Sequence, residues 1–384
     1  MNVLIVAPSF PPDESVGTLR MASLVRYLLK QRDIHIWVLT DTKKKEPVLE
    51  GIAYSYVAAI YEGGYRAWFR ENTKRYKQAF CGMISQEKPD LVLISGGPFF
   101  TFRLSPIAKK HGIPCILDFR DPWVFDKRER KGRAWLKATI SKLIELPMER
   151  RAIWHADRVV TVTRGWMETF QRYYPLCRKK FSVIMNGYDD DRLKSLHIPQ
   201  QKKEQGMRLG VFGKIFYYSQ RYSDVFLDAL KAETVPVVQI GDREPQVNDW
   251  LGKHGLPESA IESTGFIQYE KGMEQLAQMD AFLIIDSRKD ALGTKVYDYI
   301  YLNKPILFVG PKDSVLAALV GSLKNGYVCA SAEEVTAAIR CIRTNPGQPD
   351  TEADVLAYAR SVQNQKWLEL IRDTAKRSNR QEEY

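Results

Sequence analysis

The nine residues Asp290-Ala291-Leu292-Gly293-Thr294-Lys295-Val296-Tyr297-Asp298 carry the densest set of groups able to hold a phosphorylated sugar. They follow the apolar run Ala281–Ile285, which reads as a buried strand, and Thr294 is expected to open a helix reaching about Leu302. Gly293 would permit a tight turn. The amides of Gly293, Thr294 and Lys295 would then be helix-start donors without intrahelical partners, suited to a phosphate. Asp298, a helical turn further on, would accept two hydrogen bonds from a ribose diol, and Asp290 could do the same for sugar hydroxyls. Each such bond to a charged group contributes about 1.5–3 kcal/mol. Taken alone, the segment fits two surface carboxylates around an ordinary helix start equally well.

Three other groupings carry chemistry. The loop Pro8-Ser9-Phe10-Pro11-Pro12-Asp13-Glu14-Ser15-Val16-Gly17-Thr18 runs from a first strand into a helix. Gly17 would let backbone and ligand approach at the positive end of that helix, or it marks a plain turn. It is not a GxGxxG fingerprint. Asp118-Phe119-Arg120-Asp121-Pro122-Trp123 ends another strand. Arg120 there could hold a phosphate or a carboxylate, and Asp118 or Asp121 could take a proton or a hydroxyl hydrogen bond from an acceptor. An internal Arg–Asp pair tying down the loop is the plain alternative. Gly213-Lys214, with Arg221 seven residues beyond Lys214, offers two cations to a diphosphate, or solvated charge among tyrosines.

Other clusters are set aside. Asp189-Asp190-Asp191 lies beside a polar linker without a matching His or carboxylate set and reads as solvated charge rather than a metal site. No GxSxG or Walker A sequence occurs. The helix expected over 65–80 places Tyr65, Trp68, Phe69, Tyr76 and Phe80 on one side and Arg66, Arg70, Lys74 and Lys77 on the other. A core-docked helix with a solvated basic face explains it better than an interfacial membrane helix. The basic stretch 127–154, with Trp135, Leu136, Ile140, Leu143 and Ile144 interleaved, is the better membrane or acceptor candidate, because it directly follows the Asp118 loop.

The elements that must position these residues are short apolar runs alternating with helical patterns, the mark of an α/β chain with mainly parallel sheets. Strands are expected at 3–7, 35–39, 91–95, 115–118, 158–163 and 181–185, with a helix over 18–30. A second set follows at 207–212, 235–240, 281–285 and 305–309, and a last helix over 354–376. Two Rossmann-like doubly wound domains result: 1–186, onto which a C-terminal helix of about 362–384 packs back, and 187–361. Residues 189–206 read as linker and surface. Ligands of such sheets bind at the C-terminal strand edges, so a cleft between the domains is expected to take a nucleotide-like ligand.

The chain has 384 residues, 45% apolar and 27% charged, as in a globular protein of two domains. Its net charge of +11 is uneven. Residues 1–186 hold 32 Lys/Arg against 18 Asp/Glu, about +14, and the remainder 25 against 28, about −3. Nucleic acid, an anionic membrane surface and phosphorylated small molecules all suit the basic half. Five scattered cysteines without CxxC spacing indicate a reducing cytosol. The N-terminus reads as a strand rather than a signal peptide, and no apolar run approaches the roughly 18 residues needed to span a bilayer.

In order along the chain, these segments resemble the retaining glycosyltransferases of the GT-B fold, family 4, in a bacterial branch containing DFRDPW. The resemblance rests on the opening strand, Pro-Pro loop, Gly17 and Arg20, on Asp118 to Trp123, and on Ala156-Asp157 leading into a strand. It continues through Asn186-Gly187-Tyr188-Asp189, Gly213-Lys214, Gly265-Phe266, and Asp290 and Asp298 at the E-x7-E positions. It implies a nucleoside-diphosphate sugar donor held mainly by the second domain. Asp298 would bind the ribose, Asp290 and the 293–295 amides the sugar and phosphates, and Gly265-Phe266 would face the base. Lys214, helped by Arg221, would neutralise the leaving diphosphate, so neither metal nor cofactor is implied. A glycan or lipid-linked acceptor would sit near Gly17, Asp118, Arg120 and Asp121. Retention of configuration, surface polysaccharide or glycolipid synthesis, and a cytoplasmic enzyme in peripheral contact with an anionic membrane complete the expectation, without nucleic acid. The sequence departs from the family: both acidic positions are Asp, the donor-loop Arg is Lys214, and Arg221 stands one step late. The alternatives are a sugar-nucleotide epimerase on the same fold and a non-enzymatic membrane or nucleic-acid binder.

Overall fold

The computed structural model describes residues 1–12, 15–41, 49–62, 64–125, 133–194, 196 and 206–382, with backbone alone at 16, 133–141 and 377–382. Asp13 and Glu14, most of the linker expected at 189–206, residues 126–132, and the side chains of Trp135, Leu136 and Ile140 lie outside this description. The chain forms two compact units, residues 1–186 with 363–384, and residues 187–362.

The first unit is built on β1 (Asn2–Val6), β2 (His35–Asp41), β3 (Ala53–Val57), β4 (Leu91–Ser95), β5 (Cys115–Phe119), β6 (Arg158–Thr161) and β7 (Phe181–Val183). They form one parallel sheet in the order β3-β2-β1-β4-β5-β6-β7. Its helices are α1 (Val16–Leu29), α2 (Tyr65–Glu87), α3 (Ser105–Lys110), α4 (Arg133–His155) and α5 (Arg164–Tyr173). The second unit adds α6 (Asp190–Leu193), β8 (Leu209–Phe212), α7 (Gln220–Ala232), β9 (Val237–Ile240), α8 (Val247–Lys253), β10 (Ile261–Ser263) and α9 (Tyr269–Leu276). It continues with β11 (Ala281–Ile285), α10 (Lys295–Leu302), β12 (Ile306–Val309), α11 (Val315–Gly321), β13 (Gly326–Cys329), α12 (Ala332–Thr344) and α13 (Glu352–Leu356). The parallel order is β10-β9-β8-β11-β12-β13. The closing helix α14 (Arg360–Glu382) belongs mostly to the first unit. The architecture is therefore α/β, two doubly wound Rossmann-like units.

The period of two along the strands explains their wholly apolar character. In the first unit Leu4, Val6, Val92 and Ile94 face one core with Tyr76 and Phe80 of α2. Val3, Ile5, Leu91 and Leu93 face a second core with Met21, Leu24 and Leu28 of α1 and Trp367 and Ile371 of α14. Helices cover both faces, so no strand residue needs to be polar. α1 is buried beyond a single stripe because α14 lies over it: the Asn364 amide donates to Ser23 Oγ at 3.0 Å. Phe69, Tyr76 and Phe80 of the aromatic side of α2 are buried, as the core-docked reading expects, while Tyr65 at its start is 53% exposed.

Several expectations need correction. β3, β10 and β13 were not anticipated: they run three to five residues at or near the sheet edges and mix polar with apolar residues. The helix expected over 354–376 is two helices, broken at 357–359 where Tyr188 and Ala359 form a bridge. Asp189 and Asp190 are not solvated. Asp189 caps α6 by accepting from the Arg192 amide and pairs with Arg360 at 2.8 Å; Asp190 accepts from the Ser361 amide. Both are buried. Among the described residues, no helix is long and apolar enough to cross a membrane.

Candidate functional site

In the second unit the strand order turns outward in both directions from β8 and β11, the switch point at which such sheets open a crevice. β8 and β11 pair only through Ala281 with Leu209 and Phe282 with Gly210. Beyond that they are held by a side chain: the Phe212 amide donates to the Tyr299 hydroxyl at 2.8 Å. The loops that carry Gly213, Gly265 and Asp290 leave the C-terminal edge of this sheet, whereas Gly17 lies in the first unit.

The loop after β8 starts at Gly213, whose φ of +72° is a left-handed conformation that favours glycine. A Cβ on neighbouring Gly241 would come within 3.2 Å of the Gly213 Cα, so the two loops run in contact. A buried polar network fixes them. Glu244 accepts from the Ile215 and Phe216 amides at 2.8 and 2.9 Å, and Gln239 donates to Glu244 and to the Gly213 carbonyl. Both side chains are buried. This support was missed in the sequence, although a glutamine inside the apolar strand Val237–Ile240 was its available signal. Lys214 is exposed and forms no ion pair among the described residues. Arg221 lies at the start of α7 with its guanidinium 5.4 Å over the Tyr222 ring.

The loop after β11 is braced by Asp286 and Arg288. The Arg288 guanidinium donates to both Asp286 oxygens and lies 3.9 Å over the Tyr218 ring. Neither residue was singled out from sequence. Gly293 does not take a positive φ, so the tight turn expected there is not what requires glycine. A Cβ there would meet nothing nearer than Arg288 at 3.9 Å, so packing within the chain does not require glycine either. Thr294 is the N-cap of α10 and makes no side-chain cap bond. Lys295 opens the helix, and its ammonium donates to the Lys214 carbonyl at 2.8 Å, tying the two loops together. Burial pushes that ammonium down to about 8, against the pull of Asp286 and Glu244, so it is mostly charged at neutral pH. Asp290 sits four residues before Thr294 in the same loop.

Asp298 lies in the first turn of α10. Its Oδ1 accepts from the Tyr269 hydroxyl at 2.7 Å. Oδ2 has no hydrogen-bond partner among the described residues. Burial raises the carboxyl from 3.8 to about 6, with Tyr269 and Arg360 opposing. Tyr269 is itself covered by the Arg192 guanidinium, 4.5 Å from its ring. At the end of β10, Gly265 has a φ of +72° and open space around it, and Phe266 is 82% exposed.

The first unit presents a different arrangement at its own switch point between β1 and β4. Asp118 is fully buried, and Arg20 donates to both its oxygens at 3.1 and 3.2 Å. Arg20 also donates to the carbonyls of Ile184 and Met185. The carboxylate is thus engaged in an internal ion pair, and its partner is Arg20 of α1 rather than Arg120. Arg120 donates to the carbonyls of Gly96 and Gly97. A Cβ on Gly17 would lie 1.3 Å from Arg120 Nη1, so glycine at the start of α1 makes room for this guanidinium. Burial lowers its hold on the proton, and Asp118 and Asp121 oppose. Asp121 is exposed and hydrogen-bonds to none of the described residues. Trp123 stacks on Phe99 at 5.5 Å, fixing the end of the loop.

Residues 19–192 match the family model described as Glycosyltransferase Family 4. No curated protein matches the chain. Among solved structures, a glycosyltransferase from Rickettsia africae is 15% identical with a TM-score of 0.67, over 98% of each chain. HepE from Anabaena, solved with UDP and glucose, is 16% identical with a TM-score of 0.61, over 97% of this chain and 100% of its own. The UDP-GlcNAc 2-epimerase of Neisseria meningitidis, bound to UDP-GlcNAc, is 14% identical with a TM-score of 0.60, over 96% and 99%. At such identities the likeness is one of fold, and the fold is that of the GT-B glycosyltransferases.

Proposed function

We propose that the protein transfers a sugar from a nucleoside-diphosphate sugar to a hydroxyl acceptor. The observation that carries this reading is the second unit's switch-point edge. There Lys214, unpaired among the described residues, the Lys295 ammonium, the start of α10 and the open Oδ2 of Asp298 stand on elements that bonded side chains hold in place. A diphosphate would lie against the free amides of α10 and the two lysines. Asp298 would accept one ribose hydroxyl, Asp290 the sugar, and Gly265-Phe266 would stack against the base. Charge developing on the leaving diphosphate would be met by these fixed cations and amides, the electrostatic stabilisation on which such a reaction depends. Arg221, at the start of α7 with its guanidinium over the Tyr222 ring, would add a further cation near this edge.

Retention of configuration, with the departing phosphate oxygen taking the acceptor's proton, would follow from the family that the sequence resembles. The first unit would take the acceptor through Arg120 Nη1, Asp121 and Gly17. Asp118 acts there by positioning, since both its oxygens are held by Arg20. UDP in the HepE structure makes uridine nucleotides the first donors to try, and surface polysaccharide or glycolipid synthesis would suit such a transferase. The epimerase of similar fold keeps one rival reading open, in which the donor is converted without an acceptor. Incubation with a panel of sugar nucleotides and a bacterial glycolipid extract should release nucleoside diphosphate, and Asp298→Ala should cut the rate about ten-fold or more. Equal rates in the variant would remove Asp298 from the site.

A further inference from the structure

Two helix starts of the second unit meet side chain to side chain. Tyr269 is the first residue of α9, and Asp298 lies in the first turn of α10. The Tyr269 hydroxyl donates to Asp298 Oδ1 at 2.7 Å, which leaves Oδ2 without a hydrogen-bond partner among the described residues. Burial and the charge of Asp298 push the hydroxyl well above the usual phenol range, so it stays protonated and remains the donor of that bond.

The Tyr269 ring is itself fixed from two sides. The Arg192 guanidinium of α6 lies 4.5 Å from its centroid, and Arg192 is ion-paired with Glu270, the residue after Tyr269. The Phe212 ring at the end of β8 meets it edge-on, with centroids 5.8 Å apart. Gly272, one turn into α9, permits this seating: a Cβ there would come within 2.6 Å of the Phe212 ring. The Phe212 amide in turn donates to the hydroxyl of Tyr299, the neighbour of Asp298 on α10. A carboxylate on a helix start can turn about its own side-chain bonds. Here one oxygen is bonded to a tyrosine whose ring has a cation on its face and an aromatic edge against it.

We propose that Tyr269 is a positioning residue of the nucleotide-sugar site: its hydroxyl holds Asp298 Oδ1 and thereby presents Oδ2 as a fixed acceptor for a ligand hydroxyl. The inference rests on the reading of this edge given above and adds to it a residue that acts through Asp298 rather than on the ligand. Preorganised support of this kind is what makes a polar contact selective. The same bond favours the charged form of Asp298. Burial raises that carboxyl to about 6. Tyr269, Arg360 at the start of α14 and Arg192 oppose the rise, and Asp189 at the N-cap of α6 adds to it. Tyr299 is neutral, its hydroxyl pushed up by burial. Removing the Tyr269 hydroxyl alone should therefore keep Asp298 protonated to higher pH.

Tyr269→Phe makes that change and keeps the ring between Arg192 and Phe212. In the ligand-free chain, carbon-13 NMR of the aspartate carboxyls, with the Asp298 signal assigned through Asp298→Asn, should show Asp298 titrating about one pH unit higher in the variant. Titration calorimetry with the sugar nucleotide that gives the largest thermal shift in a panel should show binding about five-fold weaker at pH 6, with the gap narrowing at pH 8. A lesion that merely loosened the packing would not recover at higher pH. In an Asp298→Ala background, Tyr269→Phe should change affinity no further. The inference is overturned by an Asp298 titration that stays in place or moves down, by an equal loss at both pH values, or by a further loss in the Asp298→Ala background, which would put Tyr269 on the ligand itself. A natural protein that binds no member of the panel would remove the nucleotide-sugar reading and this role with it, and the shifted Asp298 titration would tell that outcome from the others.

Discussion

Asp298→Asn should move stability and ligand binding in opposite directions, because one buried carboxylate underlies both. In the folded chain its carboxyl is raised from 3.8 to about 6 by burial. The native state therefore holds this proton more tightly than the unfolded chain. The group's favourable contribution is complete below about pH 4 and is lost as pH rises through about 6, so at neutral pH the ionised form costs the fold stability. A difference of about two pH units corresponds to about 3 kcal/mol, and partial solvent access to the residue reduces this to about 1–2 kcal/mol. Asparagine keeps the shape and can still accept from Tyr269. The ligand-free variant should thus melt several degrees higher, at about 2–4 °C per kcal/mol for a domain of this size. Donor binding should fall about ten- to a hundred-fold through loss of a charged acceptor. At a concentration that gives the natural protein about 2.7 kcal/mol of ligand stabilisation, the variant should gain only about 0.4–1.4 kcal/mol. Differential scanning calorimetry with and without the sugar nucleotide reads both effects. A variant that melts lower without ligand, or that keeps the full ligand shift, would refute the reasoning.

Donor affinity of the natural protein, measured by titration calorimetry, should rise between about pH 5 and pH 7 as Asp298 ionises, and Asp298→Asn should flatten that profile. Asp118→Ala should destabilise the chain by about 3–5 kcal/mol in urea unfolding, because it strands the buried Arg20 guanidinium; a near-neutral change would restore a direct chemical role for Asp118. Glu149 is raised from 4.5 to about 7 by burial. Its favourable contribution, complete below about pH 4.5, should fade as pH rises through about 7, and Glu149→Gln should abolish that part of the pH dependence of the urea midpoint. Gly17→Ala should displace Arg120 from the Gly96 and Gly97 carbonyls, lowering kcat about ten-fold or more while leaving the donor-induced thermal shift intact.

The long apolar strands were legible because both sheet faces are covered, and period and burial then agree along Val3 to Val6 or Ala281 to Ile285. Edge strands such as Ala53–Val57 were not, since half-exposed residues carry little apolar signal. At the candidate site the sequence pointed to loops, and the structure adds the groups that hold them. Glu244, Gln239 and Tyr269 act on partners 26 to 29 residues away, at distances no local pattern reports. Arg20 and Asp118 are separated by 98 residues, so the carboxylate looked available until its partner was located. The acidic run at 189–191 misled in the opposite direction, because its first two carboxylates serve α6, Arg360 and the Ser361 amide.

The central claim is that the chain moves a sugar from a nucleotide to an acceptor, and product analysis tests it most directly. The protein would be incubated with carbon-13-labelled sugar nucleotides, with and without a glycolipid extract, and followed by NMR. The account predicts free nucleoside diphosphate and a new labelled anomeric signal on the extract, with accumulation that requires the extract. An epimerised sugar nucleotide formed without the extract, or labelled donors that stay unchanged beside it, would contradict it.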